Sequence, residues 1–172
     1  MAKAGGFGKR KGSAFERTVC EQLSRLIDPD TEETLFWRSA MSGGRSTVRG
    51  KKGKADATQA GDITCIDPKG NWLTAHFIIE CKFYHNLDIQ TALLTGKGKL
   101  AKFWREVRKV AKKHKKYPML VARENRTKTL LLLGPKGHKS MTTWQGRKIP
   151  WLVECPNLNC YVIDYEKEFL QL

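Results

Sequence analysis

Near the middle of the chain a glutamate and a lysine, two positions apart, sit in an otherwise apolar run, F-I-I-E-C-K-F at 77–83. In a strand, residues two apart share a face. Glu80 and Lys82 would then point the same way as Ile78 and His76, with Phe77, Ile79, Cys81 and Phe83 on the other face. A carboxylate and an ammonium at the end of an apolar strand are costly to bury without partners. One explanation is that the strand has reached the surface and both groups are solvated. Asp62 offers another. It opens the preceding apolar segment just after Gly61, and antiparallel pairing would carry it close to the end of a strand over 73–83. Two carboxylates and a backbone carbonyl converging there form an all-oxygen site that suits Mg²⁺ or Mn²⁺. Asp56 and Asp67 compete for this role, but Asp56 lies within a long loop and Asp67 at the far turn.

Glu16 is out of place in a different way. At about 100° per residue, Phe15, Val19, Cys20, Leu23, Leu26 and Ile27 cover one arc of a helix, and Glu16 falls inside it. If Ser13 caps that helix, Glu16 stands at the capping-box spacing and can fold back on the Ser13 amide. Otherwise it is a carboxylate aimed from a helix at the sheet.

The elements that must hold these residues read as follows. Residues 1–12, with glycines and basic side chains, suit a flexible cationic arm. A helix spans 13–27 and stops before Asp28-Pro29, and a strand spans 35–40. Residues 42–60 form a long Gly-, Ser- and Lys/Arg-rich loop of the kind that is functional or disordered in compact domains. Strands at 62–66 and 73–83 flank the turn at 67–71. A short helix begins at Asp88, and a longer one over 99–115 buries Leu100, Phe103, Trp104, Val107, Val110 and Ala111. Strands follow at 118–122, 129–133 and 160–165, while 144–156 resists assignment. This order predicts an α/β fold: one domain, a mixed central sheet flanked by helices.

Composition narrows the partner. The 172 residues include 32 Lys and Arg against 17 Asp and Glu, a net charge of +15. Such an excess points to a polyanion. No basic helix carries an apolar face free of the core to suit a membrane, so nucleic acid is the expected partner. On the long helix Lys97, Lys99, Lys102, Arg105, Arg108, Lys109, Lys112 and Lys113 oppose Glu106 alone, which suits phosphate contact better than a merely solvated face. Arg38, Arg45 and Arg49, with Lys51, Lys52 and Lys54, add a second basic strip, and Lys9, Arg10 and Lys11 a third. T-G-K-G-K (95–99) lacks the G-x-x-x-x-G-K-[ST] spacing of a nucleotide-phosphate loop. The five cysteines suit buried free thiols in a reducing compartment. Cys155 and Cys160 form a C-x4-C pair, but zinc would need further ligands and only His138 is near. No long apolar span or secretory signal is evident, which suits an intracellular, cytoplasmic protein.

K-G-S-A-F-E (11–16), F-W-R-S-A-M-S-G-G (36–44), G-D-I-T-C-I (61–66) and E-C-K (80–82), in that order, resemble the PD-(D/E)XK nuclease superfamily. Within it they are most similar to archaeal-type Holliday-junction resolvases. The likeness covers 11–122, the matched core being 13–133, while 134–172 form an extension without a counterpart. One departure is Gly61, where the superfamily carries proline. The resemblance implies a restriction-endonuclease-like core in which Asp62, Glu80 and the Cys81 carbonyl hold Mg²⁺ or Mn²⁺. It further implies that Lys82 orients or deprotonates the attacking water, that Glu16 reaches the metal through water, and that Ser42 approaches the scissile phosphate. A lysine beside two carboxylates stays protonated, which favours orientation over proton abstraction. The implied activity is a metal-dependent DNA endonuclease leaving 5′-phosphate and 3′-hydroxyl ends. The expected target is a four-way junction, cut by a homodimer. A restriction-, homing- or nicking-type endonuclease is the alternative of the same chemistry, and a non-catalytic nucleic-acid-binding protein the alternative of another class. A small nuclease of this kind fits a phage or mobile element and a role in DNA recombination.

Overall fold

The computed structural model describes residues 5–39 and 60–171. Helix α1 spans Gly5–Ile27 and buries Phe15, Val19, Cys20 and Leu23, the i, i+4, i+8 stripe that drives its docking. It starts well ahead of Ser13 and takes in residues expected as a loose arm. The Lys11 ammonium, 3.7 Å over the Phe83 ring and hydrogen-bonded to Asn125, ties this early turn down. Ser13 therefore lies inside the helix, and the capping-box explanation of Glu16 falls away. After the helix ends, the Ser24 hydroxyl accepts the Leu35 amide at 2.8 Å and directs the chain into β1, Phe36–Arg38. This strand pairs antiparallel with β2, Ile63–Cys65, through Phe36↔Cys65 and Arg38↔Ile63. Ser42, Arg45, Arg49, Lys51, Lys52, Lys54 and Asp56 fall between the two strands, outside the described residues.

Beyond β2 the structure departs from expectation. The Asp67 carboxylate accepts the Lys69 amide at 2.8 Å and caps a 3-10 turn, Pro68–Gly70. That turn runs directly into helix α2, Asn71–His76. Residues 73–76, expected as strand, are thus helical. Gly70 lets the turn press against β1 and β2, because a Cβ there would lie 2.8 Å from both Cys65 Sγ and the Phe36 ring. Trp72 stacks on Trp144 at 4.7 Å, and His76 stacks on Trp72. His76 is therefore not on the face shared by Glu80 and Lys82.

Strand β3, Phe77–Tyr84, follows, then α3, Ile89–Thr95, and α4, Lys99–Lys113. The chain continues through β4 (Tyr117–Glu124), β5 (Thr129–Leu133) and α5 (Pro135–Gln145). It ends with β6 (Val153–Cys155), β7 (Cys160–Asp164) and a π-helical turn, Tyr165–Leu170. Five strands form one mixed sheet of order β3-β4-β5-β7-β6, parallel only between β3 and β4. Helix α4 makes the crossover that a parallel pair requires. Residues 144–156 resolve into the end of α5, a connection and β6.

Both faces of the sheet are covered, as a mixed α/β sheet demands. Phe77, Ile79, Cys81, Met119, Val121, Leu131, Leu133 and Ile163 pack under α1, α5 and the C-terminal turn. The alternate residues Ile78, Leu120, Ala122, Leu132 and Val162 pack under α3 and α4, against Leu100, Trp104 and Val107. Glu80 and Lys82 share the parity of Ile78 and so belong to the α4 face. Among the described residues no helix is long and apolar enough to cross a membrane.

Candidate active site

Strand β3 is the edge of the large sheet, so one rim of its backbone needs partners other than β4. Asp62 supplies them. Its amide donates to the Ile79 carbonyl at 2.8 Å, and its Oδ2 accepts the Cys81 amide at 2.9 Å. The side-chain carboxylate thus occupies the place a neighbouring strand's carbonyl would take in a ladder. From the other side, the Ser39 amide donates to the Asp62 carbonyl at 2.8 Å. Asp62 is 6% exposed and fixed through backbone and side chain alike. The expected strand-to-strand hairpin is absent: one backbone bond and one carboxylate achieve the approach instead.

Gly61 makes this approach possible. Its φ is +94°, and a Cβ there would lie 2.6 Å from the Ile79 carbonyl oxygen. Proline, whose ring holds φ near −65°, cannot adopt this conformation, which explains the departure from the superfamily pattern.

Lys82 joins the two carboxylates. Its Nζ lies 2.5 Å from Glu80 Oε1 and 3.2 Å from Asp62 Oδ2. Burial pushes the Glu80 carboxyl up to about 7, and the facing Asp62 charge adds to this against the pull of Lys82. Burial lowers the pKa of the Lys82 ammonium, but Asp62 and Glu80 outweigh that and hold it above its ordinary value. While both carboxylates face it, the group is held as an ammonium. Its Nζ also stands 5.7 Å from the centre of the Phe103 ring on α4, a wall that the apolar stripe of the helix had hidden.

Glu16 is held by a partner of its own. It lies on the α1 side of β3, where its Oε2 accepts from Arg38 Nε at 2.5 Å. There its charge, after burial, helps push the Cys20 thiol up to about 12, while burial, then Asp62 and Glu80, raises Cys81 well above the ordinary thiol value. Neither thiol is a nucleophile in that state. Cys155 and Cys160 face each other across β6 and β7, both free and buried, and His138 Nε2 is bonded to the Ile149 carbonyl. Among the described residues no cluster of three or more His, Cys, Asp and Glu forms a ready-made cation site.

The donor chemistry nonetheless fits a hard cation. Asp62 and Glu80 present oxygens only, and their mutual repulsion, which adds to burial in raising Glu80, is what a bound divalent ion relieves. Lys82 partly plays that part here.

The basic residues divide by position. Because α4 crosses back between parallel strands, its first turns lie over the C-terminal end of β3, where Phe103 meets Tyr84 at 5.2 Å. Lys97, Lys99 and Lys102 are exposed at this end, and Lys109, Lys112 and Lys113 at the other. Lys112 is nine residues past Phe103, about 14 Å along the axis. Arg105 and Arg108 are partly committed to the carbonyls of Gly96 and Leu158. Lys9 and Arg10 lie on α1, their side chains outside the described set.

Helix-flanked mixed sheet, edge-strand E-x-K and an aspartate pinned to that edge together define a restriction-endonuclease-like core of the PD-(D/E)XK superfamily. The chain belongs to the family described as "phage putative PDDEXK endonuclease", whose pattern matches residues 8–154. No curated protein and no solved structure matches it. The match ends within β6, well beyond the resemblance legible in the motifs, and so covers about half of the 134–172 extension.

Proposed function

We propose that the protein is a divalent-metal-dependent DNA endonuclease that cuts branched DNA, four-way junctions first among them, and acts as a homodimer. The observation that carries this reading is the convergence of Asp62, Glu80 and Lys82 at the rim of β3. Asp62 and Glu80, with the Cys81 carbonyl, would hold Mg²⁺ or Mn²⁺. A cation bound there acidifies water and neutralises charge growing on the phosphate. Lys82 would orient the attacking water and stabilise developing negative charge. Glu16 would act through water from the α1 side, and Ser42 from the loop. The exposed lysines of α4, with Arg38, Arg45, Arg49 and the basic residues 9–11, would follow the phosphate backbone. Junction preference rests on the spread of basic side chains over several elements, which suits recognition of backbone shape. A two-fold dimer matches the symmetry of a four-way junction.

The test is cleavage of an immobile four-way junction against linear duplexes of equal sequence. A preference of at least about tenfold is expected, by the usual margin of specific over non-specific binding. Asp62→Asn, Glu80→Gln and Lys82→Ala should each lose about 10²-fold or more in rate, with DNA affinity little changed. Ca²⁺ should support binding without turnover. Equal cleavage of junction and duplex would favour a site-specific or nicking endonuclease. Wild-type activity in Asp62→Asn would remove the assignment of the site.

A further inference from the structure

Trp37 is 64% exposed, against 40% for Trp151, and is the most exposed of the five tryptophans. It lies in β1 between buried Phe36 and Arg38, the residue paired with Glu16. With Arg17, Cys20, Glu21, Thr34, Phe36 and Arg38 it borders a groove of about 410 Å³ between α1 and β1. That volume falls in the range of about 300–1,000 Å³ typical of small-molecule sites, room for one nucleobase with its sugar.

We infer that this groove receives an unpaired nucleotide of the DNA substrate, its base stacked on Trp37. Isolated exposed hydrophobes are ordinary, but this one has three supporting features. The first is chemical: an exposed indole in a groove also lined by Arg17 and by Arg38, the latter held by Glu16, combines the ring and cation that single-stranded nucleic acids use for bases and phosphates. Glu21 on the same rim disfavours a phosphate beside it, leaving the uncharged base as the group that enters. The second is place. Ser39, two residues on, holds the Asp62 carbonyl, so Trp37 stands roughly 7 Å along the strand from that anchor. This is about two base-pair rises of a duplex, at about 3.4 Å of helix axis each. The third is rigidity: Phe36 is fully buried and Trp37 pairs with Thr64 of β2, so the platform is preformed. A paired base cannot reach the ring, whereas one freed at a branch or bulge can. The site would therefore select DNA unstacked beside the cut.

This inference rests on the reading of the protein as a DNA endonuclease. Its test uses the full chain with Ca²⁺ and two probes of one sequence. One is a duplex carrying a three-nucleotide bulge with 2-aminopurine in it, the other the fully paired duplex. Wild type should prefer the bulge and quench or shift the 2-aminopurine emission. Trp37→Ala should shrink that preference by about tenfold, since stacking on an aromatic contributes about 1–3 kcal/mol per base. Trp37→Phe should retain most of it. Trp151→Ala, on the connection to the far sheet edge, should keep the wild-type ratio. Wild type that cuts DNA but leaves 2-aminopurine unperturbed overturns the stacking site alone. So does a Trp37→Ala protein with the wild-type preference, or one whose change is only in sedimentation, which would make Trp37 a contact between copies. Wild type that binds neither probe overturns the endonuclease reading as well.

Discussion

Asp62 serves the structure and the site through the same bonds. Its carboxylate closes the edge of β3 by accepting from Cys81, and Lys82 reaches the same Oδ2, so anything that shifts its backbone disturbs the donor set. Gly61 is the sensitive point. Gly61→Ala places a methyl 2.6 Å from the Ile79 oxygen at a φ of +94°, and such strain costs roughly 1–3 kcal/mol. A lowered melting temperature and a fall in cleavage rate of about 10²-fold, the scale of losing one positioned electrostatic group, should appear together. An alanine variant with wild-type melting and cleavage would show that the approach can relax. Glu16 poses a different question. With Ser13 inside the helix, capping no longer accounts for it, and the remaining readings are partner of Arg38 or contributor to the site. Glu16→Gln should lose most cleavage with a small change in melting temperature. A fully active variant would leave Glu16 as the anchor of Arg38 alone.

At the scale of elements, the strongly periodic segments were legible and the locally capped ones were not. Helix α4 announced itself by Leu100, Trp104, Val107 and Ala111, although Phe103 is only partly buried and Val110, expected on the same face, is exposed, and β5 by its run of leucines. Alternation correctly put Glu80 and Lys82 on one face, because β3 lies between two separate apolar layers and each parity has its own partners. Residues 73–76 misled because Leu73 and His76 fit a strand parity. The Asp67 cap and the Trp72–Trp144 stack, a contact between residues far apart in sequence, instead favour a helical turn. The pairing of Asp62 was anticipated in outcome but not in means, since sequence patterns do not show a carboxylate standing in for a ladder carbonyl. The C-terminal strands were only partly visible, yet β7 lies beside β5 in the middle of the sheet. Its end is held by buried Asp164, which accepts from Lys128 Nζ at 2.7 Å and from the Lys167 amide at 3.1 Å. Burial alone would raise its pKa, but Lys128 and the Lys167 amide outweigh this and hold it below the ordinary value. A depressed carboxylate contributes stability above its unfolded pKa, and that contribution is lost as pH falls through the folded value. Asp164→Asn should therefore cost on the order of 1 kcal/mol near neutrality, as one charged hydrogen bond does, with the gap from wild type closing below about pH 4. Thermal melts across pH 3–7 would show it, and a gap that widens toward acid would contradict the assignment.

For the molecule as a whole the decisive quantity is a net charge of +15, laid over a fold whose candidate site is itself acidic. A pair of carboxylates repels a phosphate, so the proposed endonuclease reading requires surrounding cations to draw the DNA in toward the site. The basic side chains are placed to do this in two zones of α4. Lys97, Lys99 and Lys102 stand at the helix end that shares Phe103 and Tyr84 with the site, while Lys109, Lys112 and Lys113 extend the track about 9–15 Å past Phe103 along the axis. Neutralising about six phosphates would make the logarithm of affinity fall with that of salt at a slope near −5, a loss of about 10³-fold between 50 and 200 mM. Reversing Lys109, Lys112 and Lys113 together should flatten the slope by roughly three while leaving the cleavage rate of bound DNA nearly intact, since none of them approaches the carboxylates. Reversing Lys99 and Lys102 should flatten it less but slow cleavage more, because they flank Phe103, which stands beside Lys82. Filter binding across a salt series, with single-turnover cleavage at saturating protein, separates the two effects. If the slope is unmoved by either set, α4 presents a merely solvated face, and the DNA must follow the basic residues of β1 and the loop instead.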